Sequence, residues 1–146
     1  MANAFGSPVS KSANCWMLLA NDLCKQAVVE RSLKLHGNSE VVRDFVTIND
    51  FCSAIKFLIE NKGAGNIVNI GSGKACTVGE MASRIQNNCL SVLGFEPPIA
   101  LENKSSIKKG FLDFQTNHLN NADFKFINDF DAEIKELIRF CLKNKD

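Results

Sequence analysis

The segment Asn69-Ile70-Gly71-Ser72-Gly73-Lys74 is where the chain comes nearest to a phosphate-binding loop. Two chemistries are at stake. The dinucleotide cradle G-x-G-x-x-G uses three glycines, and here Cys76 stands where the third is required. The loop G-x-x-x-x-G-K-[ST] needs a glycine five residues before Gly73 and a hydroxyl after the lysine. The chain has Val68 and Ala75 at those positions. Each pattern fails on residues that carry its mechanism, so the segment reads as a permissive turn between a strand and a helix.

Other side chains offer less specific chemistry. Arg43 opens a strand after a polar turn. A guanidinium there can fork onto a phosphate or carboxylate, or form an ordinary surface ion pair. Lys108-Lys109 is a basic pair that is either solvated or within reach of a phosphate. Neither His36 nor His118 has a Cys or carboxylate at ligand spacing, so no metal site is expected. No G-x-S-x-G elbow is present, and no triad can be assembled. The six cysteines, Cys15, Cys24, Cys52, Cys76, Cys89 and Cys141, contain no CxxC pair. They read as small buried hydrophobes in a reducing cytoplasm.

The elements that must position these groups follow from hydrophobic spacing. Residues 1–15 are rich in Ser, Asn, Gly and Pro and read as irregular. Trp16, Leu19, Leu23 and Ala27 recur at helical intervals. Short strands are expected at Leu33–His36 and, with β-branched alternation, at Arg43–Ile48. Asn49 or Asp50 caps the next helix, whose apolar face is Phe51, Ala54, Ile55, Leu58 and Ile59, and which stops near Asn61-Lys62-Gly63. Ile67–Ile70 reads as a buried strand. Thr77 and Glu80 have capping-box spacing and open a helix burying Val78, Met81, Ala82, Ile85, Cys89 and Val92, which Gly94-Phe95-Glu96-Pro97-Pro98 breaks. Ile99–Leu101 reads as a strand, 102–126 as mostly loop, and a last helix begins near Asp129 with Phe130, Ile134, Leu137, Ile138 and Cys141 on one face.

Alternating strands and helices make the class mixed α/β. The length of 146 residues suits one domain, and the 45% hydrophobic content is ordinary for a globular chain. With 17 Lys and Arg against 16 Asp and Glu, the net charge of +1 gives no field for nucleic acid or a membrane surface. No apolar run reaches a membrane span, and no leader is recognisable.

Four segments taken in order resemble the extended short-chain dehydrogenase/reductase family, the nucleotide-sugar epimerases and dehydratases. Asn3-Ala4-Phe5-Gly6-Ser7-Pro8 is similar to its N-x-[YF]-G-P segment. Leu33-Lys34-Leu35-His36-Gly37 and then Arg43-Asp44-Phe45-Val46-Thr47-Ile48-Asn49-Asp50 match L-x-[VL]-x-G followed by R-D-[FY]-[VI]-x-[VI]-x-D, the most specific of the four. Val68-Asn69-Ile70-Gly71-Ser72-Gly73, with Thr77, Val78 and Glu80 after it, resembles [YV]-N-[IL]-G-x-G and the helix start that follows. Lys108-Lys109-Gly110 stands where many members carry R-x-G-D, with Lys108 in place of Arg and Phe111 in place of Asp.

The resemblance covers nearly the whole chain. It implies a small mixed α/β substrate-binding domain, with few short strands and about four helices. Residues 1–146 would form the C-terminal nucleotide-sugar-binding domain, with 1–15 an irregular lead-in and the Rossmann half absent. In the family that half carries Tyr-x-x-x-Lys and NAD or NADP; this chain has no Tyr. The resemblance therefore implies no catalytic residue here, no cofactor bound by this chain alone, and an inert fragment of an NAD(P)-dependent enzyme. By position, Asn3 would hold the sugar-phosphate end of a nucleotide-diphosphate-sugar. Phe5 would border the cofactor, Lys34 and His36 would line the base, and Arg43 would pair with the diphosphate, aided by Lys108. Surface left by the missing half implies self-association. The rival reading is a non-catalytic α/β interaction or oligomerisation module that retains the scaffold.

Overall fold

A computed structural model describes residues 2–61, 67–101 and 110–145. In chain order its elements are β1 (Asn3–Phe5), α1 (Leu19–Val29), β2 (Leu33–Leu35), β3 (Val42–Thr47), α2 (Ile48–Glu60), β4 (Ala75–Thr77), α3 (Val78–Leu93), β5 (Ile99–Leu101), α4 (Asn117–Asn121) and α5 (Phe130–Lys143). The mixed α/β class holds, with five helices among the described residues rather than about four.

The joint of the fold is β3. Its first half pairs antiparallel with β4, Val42 opposite Thr77 and Asp44 opposite Ala75. Its second half pairs parallel with β1, Asn3 opposite Phe45 and Phe5 opposite Thr47. The sheet order is therefore β1-β3-β4, and β2 and β5 form a separate parallel pair. Two expectations are corrected here. The stretch 1–15 is not irregular throughout, because Asn3–Phe5 is a strand. Three residues carry no readable alternation, and their partner lies far along the chain. Ile67–Ile70 has no strand; β3 takes its antiparallel partner from Ala75–Thr77 instead.

The helices start and stop where local chemistry dictates. Thr47, not Asn49 or Asp50, caps α2, its hydroxyl accepting the Asp50 N–H at 3.1 Å. At α3 the capping box is complete. Glu80 N–H donates to the Thr77 hydroxyl at 3.0 Å and Thr77 N–H to the Glu80 carboxylate at 2.6 Å. Gly94, left-handed at φ 76°, ends that helix where a side chain would strain. Asp129 caps α5 by accepting the Ala132 N–H at 3.1 Å.

One core results, where α1, α3 and α5 pack on one another. Leu23, Ile85, Ile134, Leu137 and Ile138 are fully buried there beside Phe5 and Phe45. The helix α2 differs. Asp50 and Ala54 are buried and Phe57 meets the ring of Phe124 at 5.2 Å, yet Ile55 is 38% and Ile59 73% exposed. Of the expected face, Ala54 is buried and Phe51 and Leu58 are half-buried, while Ile55 and Ile59 are exposed, so the packed face is turned from the expected one toward Asp50 and Phe57. No helix among the described residues is long and apolar enough to cross a membrane.

Candidate functional site

Where β2 leaves the core and β3 enters it, the chain turns through Asn38 and leaves a cleft of about 310 Å³. Leu19, Leu35, Val41 and Val78 contribute apolar lining, and Lys34, His36, Arg43 and Asp22 the charged or polar side chains. Alternation along β2 explains the division. Leu33 and Leu35 turn into the core while Lys34 and His36 face outward. On β3 the same alternation exposes Arg43 and buries Asp44.

Hydrogen bonds fix the walls. The Gln26 side chain donates to Asp22 Oδ2 at 2.7 Å and accepts the Lys34 N–H at 2.7 Å, tying α1 to β2. The Lys34 ammonium meets Glu30 at 2.6 Å in a half-exposed pair. Arg43 has a 3.4 Å contact to the carbonyl of Val42, and its side chain is exposed. Directly beneath, the Asp44 carboxylate, 0% exposed, accepts from Ser72 N–H at 2.8 Å and from the Ser72 hydroxyl at 3.1 Å. That clamp explains Gly71, since a Cβ there would lie 2.7 Å from Asp44 Oδ1 and 2.5 Å from the Phe114 ring. The glycine segment is therefore a turn packed on a buried carboxylate and leading into β4, not a strand-to-helix turn. It does not fit a pyrophosphate, because its close approach is already filled by side chains.

Three sequence-predicted site residues, Lys34, His36 and Arg43, are brought together by this cleft. The others are not. Asn3 sits on β1, where its amide donates to the carbonyl of Asp44 at 3.4 Å. Phe5, expected to border a cofactor, is 2% exposed, and its ring meets Phe45 at 6.5 Å and Phe130 at 5.3 Å. A side chain so enclosed offers no surface to a ligand and serves the core. Lys108 and its neighbour Lys109 lie outside the described residues. Sequence reading missed Leu19, Asp22, Val41 and Val78 as cleft residues, since each looked like an ordinary helix or strand position. It also missed the Asp44–Ser72 clamp. The only signal for that was an acid next to Arg43 on a strand otherwise apolar.

The strongest electrostatic perturbations lie away from the cleft. The Arg84 guanidinium, on Asp131 at 2.7 and 2.9 Å, draws that carboxyl down to about 2. Burial pushes the Glu133 carboxyl up, partly offset by hydrogen bonds from Ser7 and Asn49. Burial also raises the Cys89 and Cys141 thiols to about 11. Among the described residues no cluster of His, Cys, Asp and Glu is placed to hold a metal ion. The cleft itself joins an apolar floor suited to a flat ring with cationic side chains suited to an anion.

Residues 3–71 match the model of the NAD dependent epimerase/dehydratase family. The fold is shared with solved structures along almost the entire chain. UDP-N-acetylglucosamine 4-epimerase from Methanobrevibacter ruminantium M1, in complex with UDP-N-acetylmuramic acid, superposes with a TM-score of 0.72 at 19% identity, over 97% of this chain and 44% of that one. UDP-N-acetylglucosamine 4-epimerase from Bacillus cereus gives 0.70 at 22% identity over 99% and 45%. dTDP-glucose 4,6-dehydratase from Bacillus anthracis, in complex with NAD, gives 0.68 at 20% identity over 99% and 43%. The chain spans less than half the length of these structures.

Proposed function

We propose, from the match of residues 3–71 to the NAD dependent epimerase/dehydratase family model and from the shared fold, that this chain is the nucleotide-diphosphate-sugar-binding portion of an NAD(P)-dependent sugar epimerase or dehydratase. The observation that carries this reading is the convergence of Lys34, His36 and Arg43 on one cleft. Arg43 is exposed there and supplies a fork of fixed geometry for a diphosphate. Lys34 and His36, two residues apart on one strand face, flank the apolar floor where a base would lie. Asn3, and Lys108 from outside the described residues, would meet the sugar-phosphate end.

The hydride chemistry belongs to NAD or NADP bound by an N-terminal half. Isolated, this chain is inert, because it has no Tyr for a Tyr-x-x-x-Lys pair and its glycine turn is filled by Asp44 and Phe114. This reading is supported by β1, which among the described residues has one strand partner, β3, and by α2, which leaves Ile55 and Ile59 exposed. The six free cysteines, three of them buried, suit a reducing cytoplasm.

The same strand and helix face also support the second reading, a non-catalytic module whose business is association with itself or another chain. Calorimetric titration with UDP, dTDP and GDP, beside Arg43→Ala, separates the two. Saturable binding to the wild-type chain, weakened about tenfold or more in the variant, is the expected result. A well-folded chain that binds none of the three nucleotides moves the association module ahead.

A further inference from the structure

A second cavity, of about 270 Å³, lies between α1, the turn before it and the end of α5, and shares no lining residue with the candidate cleft. Its walls are of two kinds. Trp16, Val29 and Phe140 give an aromatic and aliphatic body, the Trp16 and Phe140 rings stacked 6.3 Å apart at 29°. Lys11, Lys25 and Lys145, all three exposed residues, line the same space. The Lys25 ammonium lies 5.2 Å from the centre of the Trp16 ring, and Lys145 donates to the carbonyl of Val28 at 2.9 Å. No Asp or Glu lines the cavity, and no carboxylate of the described residues pairs with any of the three lysines.

The imbalance is local. Basic and acidic residues are almost equal in number over the chain, 17 to 16, yet three lysines and no acidic residue line this one space. Three exposed lysines around one half-enclosed space make a local positive field, weakened by solvent, that favours an anion. An inorganic anion would use the ammonium groups and leave the stacked rings unused. A body with a flat apolar portion and one negative group uses both.

We propose that this cavity is a binding site for a small planar organic anion, an aromatic carboxylate of one or two rings. Its ring would lie against Trp16, Val29 and Phe140, and its carboxylate would meet Lys25 and Lys11. Because Trp16 lies in the turn entering α1 and Phe140 lies on α5, an occupant would pin that turn to the last helix. The site does not depend on what the sugar-nucleotide cleft binds.

The test uses 2-naphthoate with the full chain, beside its neutral counterpart 2-naphthamide. Trp16 is the one tryptophan, so its indole N–H gives a single nuclear magnetic resonance signal from inside the site. The expected result is a saturable shift of that signal with naphthoate, at least tenfold weaker binding of the amide, and a loss of about five- to tenfold in Lys25→Gln with an unchanged melting temperature. If Lys25→Gln is unstable, Lys11→Gln, at an exposed position, makes the same measurement. An indole signal unmoved by millimolar naphthoate would overturn the proposal. So would equal binding of acid and amide, or a naphthoate affinity indifferent to both lysine substitutions.

Discussion

The helices α3 and α2 carry similar amphipathic patterns and meet different fates. On α3 the residues at helical spacing, Met81, Ala82, Ile85 and Cys89, are all buried against α1 and α5. On α2 the comparable set, Phe51, Ala54, Ile55, Leu58 and Ile59, buries Ala54 alone. The difference is not one of propensity or capping, since Thr77 caps one helix and Thr47 the other through a threonine hydroxyl. It is one of available partners. An apolar stripe states which surface a helix will cover if something is there to be covered. Here α3 packs on α1 and α5, whereas α2 is met at its first turn by Glu133 and the N–H groups of Ile127 and Asn128, on one flank by β1 and β3, and at Phe57 by Phe124. The same contrast divides the strands. Among the described residues β1 has one strand partner, whereas β3 has two, β4 along its first half and β1 along its second.

The largest effect belongs to the filled side. Ile138 on α5 is 0% exposed amid the three-helix core. Ile138→Ala removes three carbons from a close-packed space and leaves a cavity, so a loss of about 2–5 kcal/mol in urea unfolding is expected. A cost below about 1 kcal/mol would mean that the core is loose and that the contrast with α2 is one of degree. Next comes the clamp beneath Arg43. Asp44→Ala leaves the buried Ser72 N–H and hydroxyl without their acceptor, while relieving the burial of a charge. The net expectation is about 2 kcal/mol of destabilisation. Asp44→Asn keeps one oxygen for the Ser72 N–H and should recover about half of it. If both variants lose the same amount, the carboxylate's charge, not its acceptor geometry, holds the turn.

What the sequence made legible follows the same division. The strand beginning at Arg43, the capping box at Thr77, the stop at Gly94 and the buried face of α5 were all readable, because each is local chemistry or a periodicity long enough to count. The site was readable to the extent that alternation on β2 and the exposed start of β3 put Lys34, His36 and Arg43 outward. Hidden were the elements whose cause lies elsewhere in the chain. Asn3–Phe5 is a strand only because Phe45–Thr47 lies beside it. Ile67–Ile70 has the composition of a strand but no ladder to join. Phe5 has the residue type and place of a cleft residue, yet Phe45 and Phe130 enclose it. In each case tertiary contact overrode a short pattern.

The smallest effect on stability is expected where the pattern and the burial disagree most. Ile55 and Ile59 lie one turn apart on α2, 38% and 73% exposed, so replacing both by Ser removes little that is packed. Serine costs some helix propensity, and the sum should stay within about 1 kcal/mol by urea unfolding. Association is where the change should appear. An exposed pair of isoleucines on one helix face is a surface that can pair with another copy. Sedimentation of the wild-type chain should therefore shift toward larger species with concentration, and the double Ser variant should remain monomeric over the same range. A variant that unfolds as readily as Ile138→Ala would put α2 inside the cooperative core and erase the contrast. A wild-type chain that stays monomeric at every concentration would leave the contrast in burial intact but remove its consequence, because the exposed face would then be too small or too polar at its rim to hold a partner.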